Sequence, residues 1–310
     1  MLNGLEVAVT GGAGFIGSHL CRTLLENGAK VTVFDNLSSG KINRIKDLEN
    51  NGLNFVQGDI RDLEAIVKAT KNCKVIVHLA AQTSVPLSME NPQEDCEINV
   101  IGTLNVLEAA RKAGARVVFA SSSAVYGNPD QKPTPETYPT NPIAFYGLTK
   151  LLGENYCRFY KENYGLDVVM LRIFNVYGPS CHGAIYDFLN KLRKTPDKLE
   201  VLGTGRQARD FIYVADMVNL IIKAATSPAA AGEVFNVGTG NTTTVTELAK
   251  MIIKILGLEN VDIYFKGGLA WEGDMDITLA DSSKAVNILQ WKPQVNLEEG
   301  LKKLIASRKY

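Results

Sequence analysis

Glu6-Val7-Ala8-Val9-Thr10-Gly11-Gly12-Ala13-Gly14-Phe15-Ile16-Gly17 is the stretch on which the reading of this chain turns. Its first five residues suit a short strand, glycines follow at once, and the run from Gly14 to about Asn27 has the apolar spacing of a helix. Strand, glycine turn and helix in that order bring backbone amides and a positive helix end up to an anion such as a pyrophosphate. A glycine triplet alone passes for an ordinary turn. Asp35 raises its weight, because it ends the next strand, Val31–Phe34, 18 residues beyond Gly17. A carboxylate there accepts from both hydroxyls of a ribose and repels the extra phosphate of NADP. NAD is therefore the expected cofactor.

Outward from this stretch the alternation continues. A helix follows Asp62, then come a strand at Val75–Leu79, a helix from about Asn99 stopping at Gly114, a strand at Arg116–Ala120, a helix from about Ala144 to Tyr164 and a strand at Val168–Ile173. Repeated βαβ units, with several strands apolar throughout, predict an α/β fold: a doubly wound parallel sheet, Rossmann-like, buried on both faces. After about Phe174 the pattern loosens into Gly-, Pro- and Asn-rich loops with helices near Ile185–Arg193, Ala215–Ala225, Thr246–Leu256 and Ser282–Leu289. The expected division is residues 1–174 for the cofactor and 175–310 for a smaller substrate-binding α/β domain. Segments near 206–240 are expected to return to the main sheet, since Phe211–Val214 and Val234–Val237 read as strands. Thr242-Thr243-Thr244 reads as the cap of the helix that follows.

Bulk properties narrow the function. Of 310 residues 45% are hydrophobic, ample for a large core, and 33 basic side chains balance 33 acidic ones. No net field recommends nucleic acid or an acidic membrane as partner, so any anionic ligand is held locally. Five scattered cysteines without a paired motif suggest neither a disulfide framework nor a metal site, and fit a reducing cytoplasm. No apolar run approaches a membrane span, and the protein is expected to be soluble.

Tyr146 and Lys150 stand four apart in Ala144-Phe145-Tyr146-Gly147-Leu148-Thr149-Lys150, so on a helix they share a face. A cation there is expected to lower the phenol's pKa, making it a base for a sugar hydroxyl as hydride leaves the carbon. Ser121, Ser122 and Ser123, after the Arg116–Ala120 strand, can hold the reacting oxygen. His78 and His19 read as structural histidines, Cys181-His182 as too sparse for a metal pair, and Lys41 to Lys46 as a solvated basic loop.

The order of these motifs, glycine loop, serines, Tyr-x-x-x-Lys, resembles the extended short-chain dehydrogenases/reductases, in the NAD-dependent epimerase/dehydratase branch and within it the UDP-glucose 4-epimerases. The likeness spans nearly the whole chain. Its other markers are Gly58-Asp59-Ile60-Arg61, His78-Leu79-Ala80-Ala81-Gln82, Asn99-Val100-Ile101-Gly102-Thr103, Arg172 to Pro179, Arg209 to Asp216 and Ala280 to Ala285. The resemblance implies that Tyr146 is the base, Lys150 binds the nicotinamide ribose, and Ser122, with Ser123 as the alternative, is the catalytic hydroxyl. It further implies that Gly11, Gly14, Phe15, Ile16, Gly17, Asp35, Asn36, Asp59, Ile60, Leu79, Ala80, Ala81, Asn99 and Ser121 line NAD. A UDP-sugar substrate would meet Ser122, Ser123, Tyr146, Asn175, Arg209, Trp271, Asp274 and Thr278. It also implies a homodimer through helices around Val100–Lys112 and Ala144–Glu162.

Relatives that remove water carry an Asp-Glu pair where this chain has Ser123 and Ala124, and relatives that decarboxylate carry a glutamate in that segment. Neither is present, which favours 4-epimerisation of UDP-glucose or UDP-N-acetylglucosamine over a 4,6-dehydratase; a non-catalytic NAD-binding regulator is the reading from another class. Two departures bear on the substrate. Trp271-Glu272-Gly273-Asp274 replaces the usual Arg-x-Gly-Asp, so a diphosphate arginine is a tryptophan, and the loop Ser180-Cys181-His182-Gly183 is shorter and less arginine-rich than usual. Thr278, three before Asp281, stands where glucose-restricted epimerases tend to carry a bulkier side chain, and leaves room for an N-acetyl group.

Overall fold

The computed structural model describes residues 2–307. The first half alternates as expected: β1 (Glu6–Thr10), α1 (Phe15–Glu26), β2 (Lys30–Asp35), α2 (Lys46–Glu49), β3 (Asn54–Gln57), α3 (Leu63–Thr70), β4 (Val75–His78), α4 (Val85–Glu90), α5 (Pro92–Cys96), α6 (Gly102–Ala113), β5 (Arg116–Ser122), α7 (Phe145–Tyr164) and β6 (Val168–Ile173). A π-helical turn, Glu97–Ile101, fuses α5 to α6, and a 3-10 turn, Ser123–Tyr126, follows β5. The second half adds β7 (Asn175–Tyr177), α8 (Ala184–Lys194), β8 (Lys198–Val201), β9 (Ala208–Arg209), β10 (Phe211–Tyr213), α9 (Val214–Thr226), β11 (Val234–Val237), β12 (Thr243–Thr244), α10 (Val245–Leu256), β13 (Asp262–Phe265), α11 (Ser283–Leu289) and α12 (Leu297–Ser307).

Seven strands form one sheet in the order β11-β6-β5-β4-β1-β2-β3, every neighbouring pair parallel. The chain runs outward from β1 to β3, then returns past β1 to β4, so the switch point lies at the carboxyl ends of β1 and β4, where open α/β sheets bind ligands. Helices cover both faces, as the unbroken apolar strands require. α3, α6 and α7 bury one face over Phe34, Ile76 and Phe119. α1 and α9 pack together over the other, in a core that runs on without a break into α8, α10 and α12. Thr244 does cap α10, in a reciprocal capping box with Glu247.

Of the two segments expected to return to the sheet, Val234–Val237 extends it beside β6. Phe211–Tyr213 does not: it pairs with β7 in a separate two-stranded ribbon, and Val214 already opens α9. The reason lies at Phe174, whose amide still bonds Val237 O, while Asn175 turns to Asp210 O, so the chain leaves the sheet there and β10 follows it. A second difference matters for the site. β5 runs on through Ser122, so Ser121 and Ser122 are strand residues with side chains on opposite faces. The pairs β8–β13 and β9–β12, and helices α4, α5 and α12, were not read from sequence.

Candidate active site

The glycine loop has the shape its sequence suggests. Gly11 takes φ +69°, and a Cβ there would lie 2.8 Å from Ala80 N, so only glycine lets the loop rest on the strand β4 exit. Gly14 is the N-cap of α1 and brings no side chain to the first-turn amides, nor does that turn hold an acidic residue. The amides therefore face outward for an anion. Asp35, buried at the end of β2, accepts from Ala13 N at 2.9 Å and Leu37 N at 2.8 Å. Each of its oxygens keeps a lone pair for a ribose hydroxyl. A dinucleotide fits this cradle: the glycine backbone and helix end suit the pyrophosphate, and Asp35 the adenosine ribose.

The remaining lining residues divide between side chain and backbone. Phe15 stands edge-on to His19 and His182, and Leu79, Ala80 and Ala81 follow β4 half-buried. Asn36 donates to Asp59, whose carboxylate Arg61 clasps from two nitrogens; that hydrogen bonding holds the Asp59 carboxyl well below its ordinary value. Three of the expected side chains are engaged within the protein. Ile60 packs into the core against Gly102. Ser121 Oγ donates to Glu154 Oε1 at 2.6 Å, on the strand face turned away from Ser122. The Asn99 amide is fully engaged inside the protein, with Gln82, Asp95 and Thr149.

Tyr146, Ser122 and Lys150 do come together. Gly147 makes this possible, since a Cβ there would sit 2.5 Å from Ala124 O, and only its absence lets α7 press against the Ser123–Tyr126 turn. Ser88 Oγ accepts from Tyr146 N at 3.0 Å and steadies the start of the helix. Ser122 stands close enough to the Tyr146 hydroxyl to pull its pKa down, and Lys150 Nζ lies 6.0 Å from the Tyr146 ring centroid. Lys150 donates to Ala120 O at 2.9 Å, and burial pushes its pKa down to about 8. Burial pushes the Tyr146 phenol above its ordinary value, the Asp95 charge adds to the rise and Ser122 pulls it back, so the expected lowering of this pKa is not seen.

Ser123 and Thr278 line one cavity beside this centre, with Tyr126, Phe174 and Met275. Arg209 is anchored by Ala208 O, Asp276 O and, at 2.6 Å, Asp274 Oδ1. Among the described residues its Nε–H has no partner, which leaves one edge of the guanidinium for a phosphate. Trp271 is 39% exposed, and Gly273 in the same loop lies against Ala144 and Ile143 just ahead of α7. Asn175 sits on β7, its amide bonded to Asp210 O.

The sequence reading missed the polar groups that hold this machinery. Glu154, two turns beyond Tyr146 on α7, is fully buried and accepts from Ser121, from Arg172 Nε and Nη2 at 2.9 and 2.8 Å, and from Arg158. Burial pushes its carboxyl up, and Arg172 more than reverses the effect. Arg172 also donates to the Tyr126 hydroxyl, which donates in turn to Asn236. His78 is a structural histidine, as expected: it bonds Thr10 and Thr103, and burial takes its pKa down to about 3.

Comparison with known proteins gives these features a context. The model of the family described as NAD dependent epimerase/dehydratase matches residues 7–238. The chain is 37% identical to the UDP-glucose 4-epimerase of Mycolicibacterium smegmatis over 97% of this chain and 97% of that one. Among solved structures it superposes on a UDP-glucose 4-epimerase of Thermotoga maritima with UDP-glucose, at TM-score 0.91 and 37% identity over 97% and 98% of the two chains. A UDP-N-acetylglucosamine 4-epimerase of Methanobrevibacter ruminantium in complex with UDP-N-acetylmuramic acid matches at TM-score 0.91 and 33% identity over 98% of both chains.

Proposed function

The chain belongs to the NAD dependent epimerase/dehydratase family, and on that premise we infer that it is an NAD-dependent isomerase, a nucleotide-sugar 4-epimerase acting on a UDP-sugar. The observation that carries the reading is the convergence of Ser122, Tyr146 and Lys150 at one site, with no carboxylate at Ser123 or Ala124. NAD, when bound, supplies the acceptor that takes hydride from sugar C4 and gives it back, and a positive ring that favours a tyrosinate. Tyr146 takes the proton from the C4 hydroxyl, and Ser122 holds the same oxygen as charge develops on it. Lys150, fixed by Ala120 O, orients the cofactor ribose. The 4-keto sugar turns over within the pocket, and Tyr146 returns the proton as the opposite face is reduced. No second acid–base pair is required, which sets this chemistry apart from loss of water at C5 and C6.

Residues 1–174 carry the cofactor in this account and 175–310 the sugar nucleotide, with β11 restored to the sheet. Arg209 binds the diphosphate from its free edge. The sugar is placed beside Ser122 and Tyr146, and the small Thr278 near Ser123 supports UDP-N-acetylglucosamine beside UDP-glucose. Leu148, Tyr156 and Phe159 leave an apolar stripe exposed on α7, which fits a homodimer through that helix and α6. Five free thiols suit a reducing cytoplasm. Incubation with each UDP-sugar, followed by proton NMR of the C4 epimers, tests the function. Conversion without net NADH supports it; a keto sugar released or water lost contradicts it.

A further inference from the structure

A buried carboxylate that the mechanism above does not use lies directly behind the acid–base pair. Asp95, on α5, is completely buried, and its oxygens take three donors: Gln82 Nε2 at 2.8 Å and Asn99 Nδ2 at 3.0 Å on Oδ1, and the Thr149 hydroxyl at 2.7 Å on Oδ2. Thr149 is the neighbour of Lys150 in α7, and Gln82 ends the loop that carries Leu79, Ala80 and Ala81. The cluster thus ties the cofactor loop, the π-helical turn and the catalytic helix to one formal charge. Lys150 itself is 4% exposed, and its ammonium donates to a neutral carbonyl, Ala120 O. A buried ammonium with only a neutral acceptor is costly, and a carboxylate nearby offsets that cost.

We propose that Asp95 is a positioning residue that supplies the buried counter-charge for Lys150 and so sets the pH window in which Tyr146 and Lys150 work. Asp95 touches neither sugar nor cofactor; it acts through the Thr149 hydroxyl and through space. Its two oxygens accept three hydrogen bonds; burial pushes the carboxyl above its ordinary pKa, and the Thr149 and Gln82 donors and the Lys150 charge pull it back toward the ionised form. The sign of its influence is the same on both partners: a fixed negative charge makes it harder to remove a proton from Tyr146 and from Lys150. Glu154, one turn beyond Lys150 on α7, is balanced by Arg172 and Arg158, and the remaining titratable groups around the cluster carry no buried charge. His78 on β4 is held neutral by burial, burial keeps the Cys157 thiol on α7 protonated, and Glu90, Glu94, Cys96 and Glu97 on the surrounding turns are exposed.

Asp95→Asn removes the charge while the hydrogen bonds can be remade. The new amide oxygen accepts from Gln82 and Asn99, its NH2 donates to Thr149 Oγ1, and the Thr149 hydroxyl can donate to Tyr146 O, already 3.1 Å away. The first readout needs no substrate: the tyrosinate absorbance of the purified protein with bound cofactor, titrated with and without Tyr146→Phe so that only Tyr146 is followed. Asp95→Asn is expected to move this titration to lower pH by about one unit. Both limbs of the kcat/KM profile should move in the same direction. The kinetic half rests on the epimerase reading, whereas the absorbance does not, so the failure of one is distinguishable from the failure of the other. A Tyr146 titration that stays put, while the rate falls equally at every pH, assigns Asp95 a purely structural role and overturns the proposal. Should Asp95→Asn not fold, 13Cγ-aspartate NMR of the unmutated protein decides. Asp95 ionised while Lys150 titrates upholds the proposal, and Asp95 protonated over that interval overturns it.

Discussion

Glu154→Gln removes a charge from the most buried ion pair of the described residues. The Glu154 and Arg172 side chains are 0% and 3% exposed, and the carboxylate accepts from Ser121, Arg158 and two nitrogens of Arg172. Loss of the charge strands Arg172, which then keeps only neutral acceptors: the new amide oxygen, the Tyr126 hydroxyl and Glu136 O. Breaking a buried pair in this way costs about 3–5 kcal/mol. With an unfolding entropy that scales with chain length, 310 residues convert this to a fall in Tm of about 5–8 °C. The pH dependence adds a second constraint. Arg172 holds the Glu154 carboxyl below its ordinary 4.5, so its contribution is fully present above that value and disappears as pH falls through the lower folded value. Scanning calorimetry on both proteins from pH 8 down through the folded Glu154 value, well below pH 4.5, is the assay. The gap should be widest at neutral pH and close toward the acid end. Equal melting temperatures at pH 7, or a gap that widens in acid, would refute the reasoning.

Four further outcomes follow from the site. Tyr146→Phe should cut kcat about 10²–10⁴-fold with NAD still bound, measured by epimer formation and by the cofactor released on denaturation. Gly11→Ala forces a Cβ to within 2.8 Å of Ala80 N at a positive φ, and should lose bound NAD at least in part, read from the A260/A280 ratio of the purified protein. Arg209→Met removes the charged contact to the diphosphate and should raise KM for a UDP-sugar about tenfold to a hundredfold, with kcat less affected. Trp271→Arg restores a cation on the exposed loop; a KM lowered by up to about fivefold is expected if Arg209 otherwise carries the phosphate alone.

How far the sequence discloses the site depends on what kind of geometry each residue needs. Gly11 and Asp35 were legible because their roles follow from the local order of strand, turn and helix. Tyr146 and Lys150 were legible because four residues on a helix fix a common face. Ser121 and Ser122 were separable only once β5 was seen to reach Ser122, since strand alternation then sends the Ser121 hydroxyl to Glu154 and the Ser122 hydroxyl to the opposite face. Asp95 and Glu154 stayed hidden for a different reason. Each is a charged residue on a helix, and its partners, Thr149 and Arg172, lie 54 and 18 positions away, so only tertiary packing shows that the charge is buried. Phe211–Tyr213 has the composition of a sheet strand, and its place beside β7 follows from where the chain leaves the sheet, not from its own residues.

The central claim is that a sugar carbon is oxidised and then reduced on its opposite face without the reducing equivalent leaving the site. UDP-glucose carrying deuterium at C4, mixed with an equal amount labelled with 13C throughout the hexose, tests it directly by mass spectrometry of the product. Deuterium found only in unlabelled-carbon product, at the level of the starting sugar, is the predicted result; deuterium transferred to the 13C product or lost to solvent would contradict it. UDP-N-acetylglucosamine labelled in the same way extends the test to the second substrate proposed above.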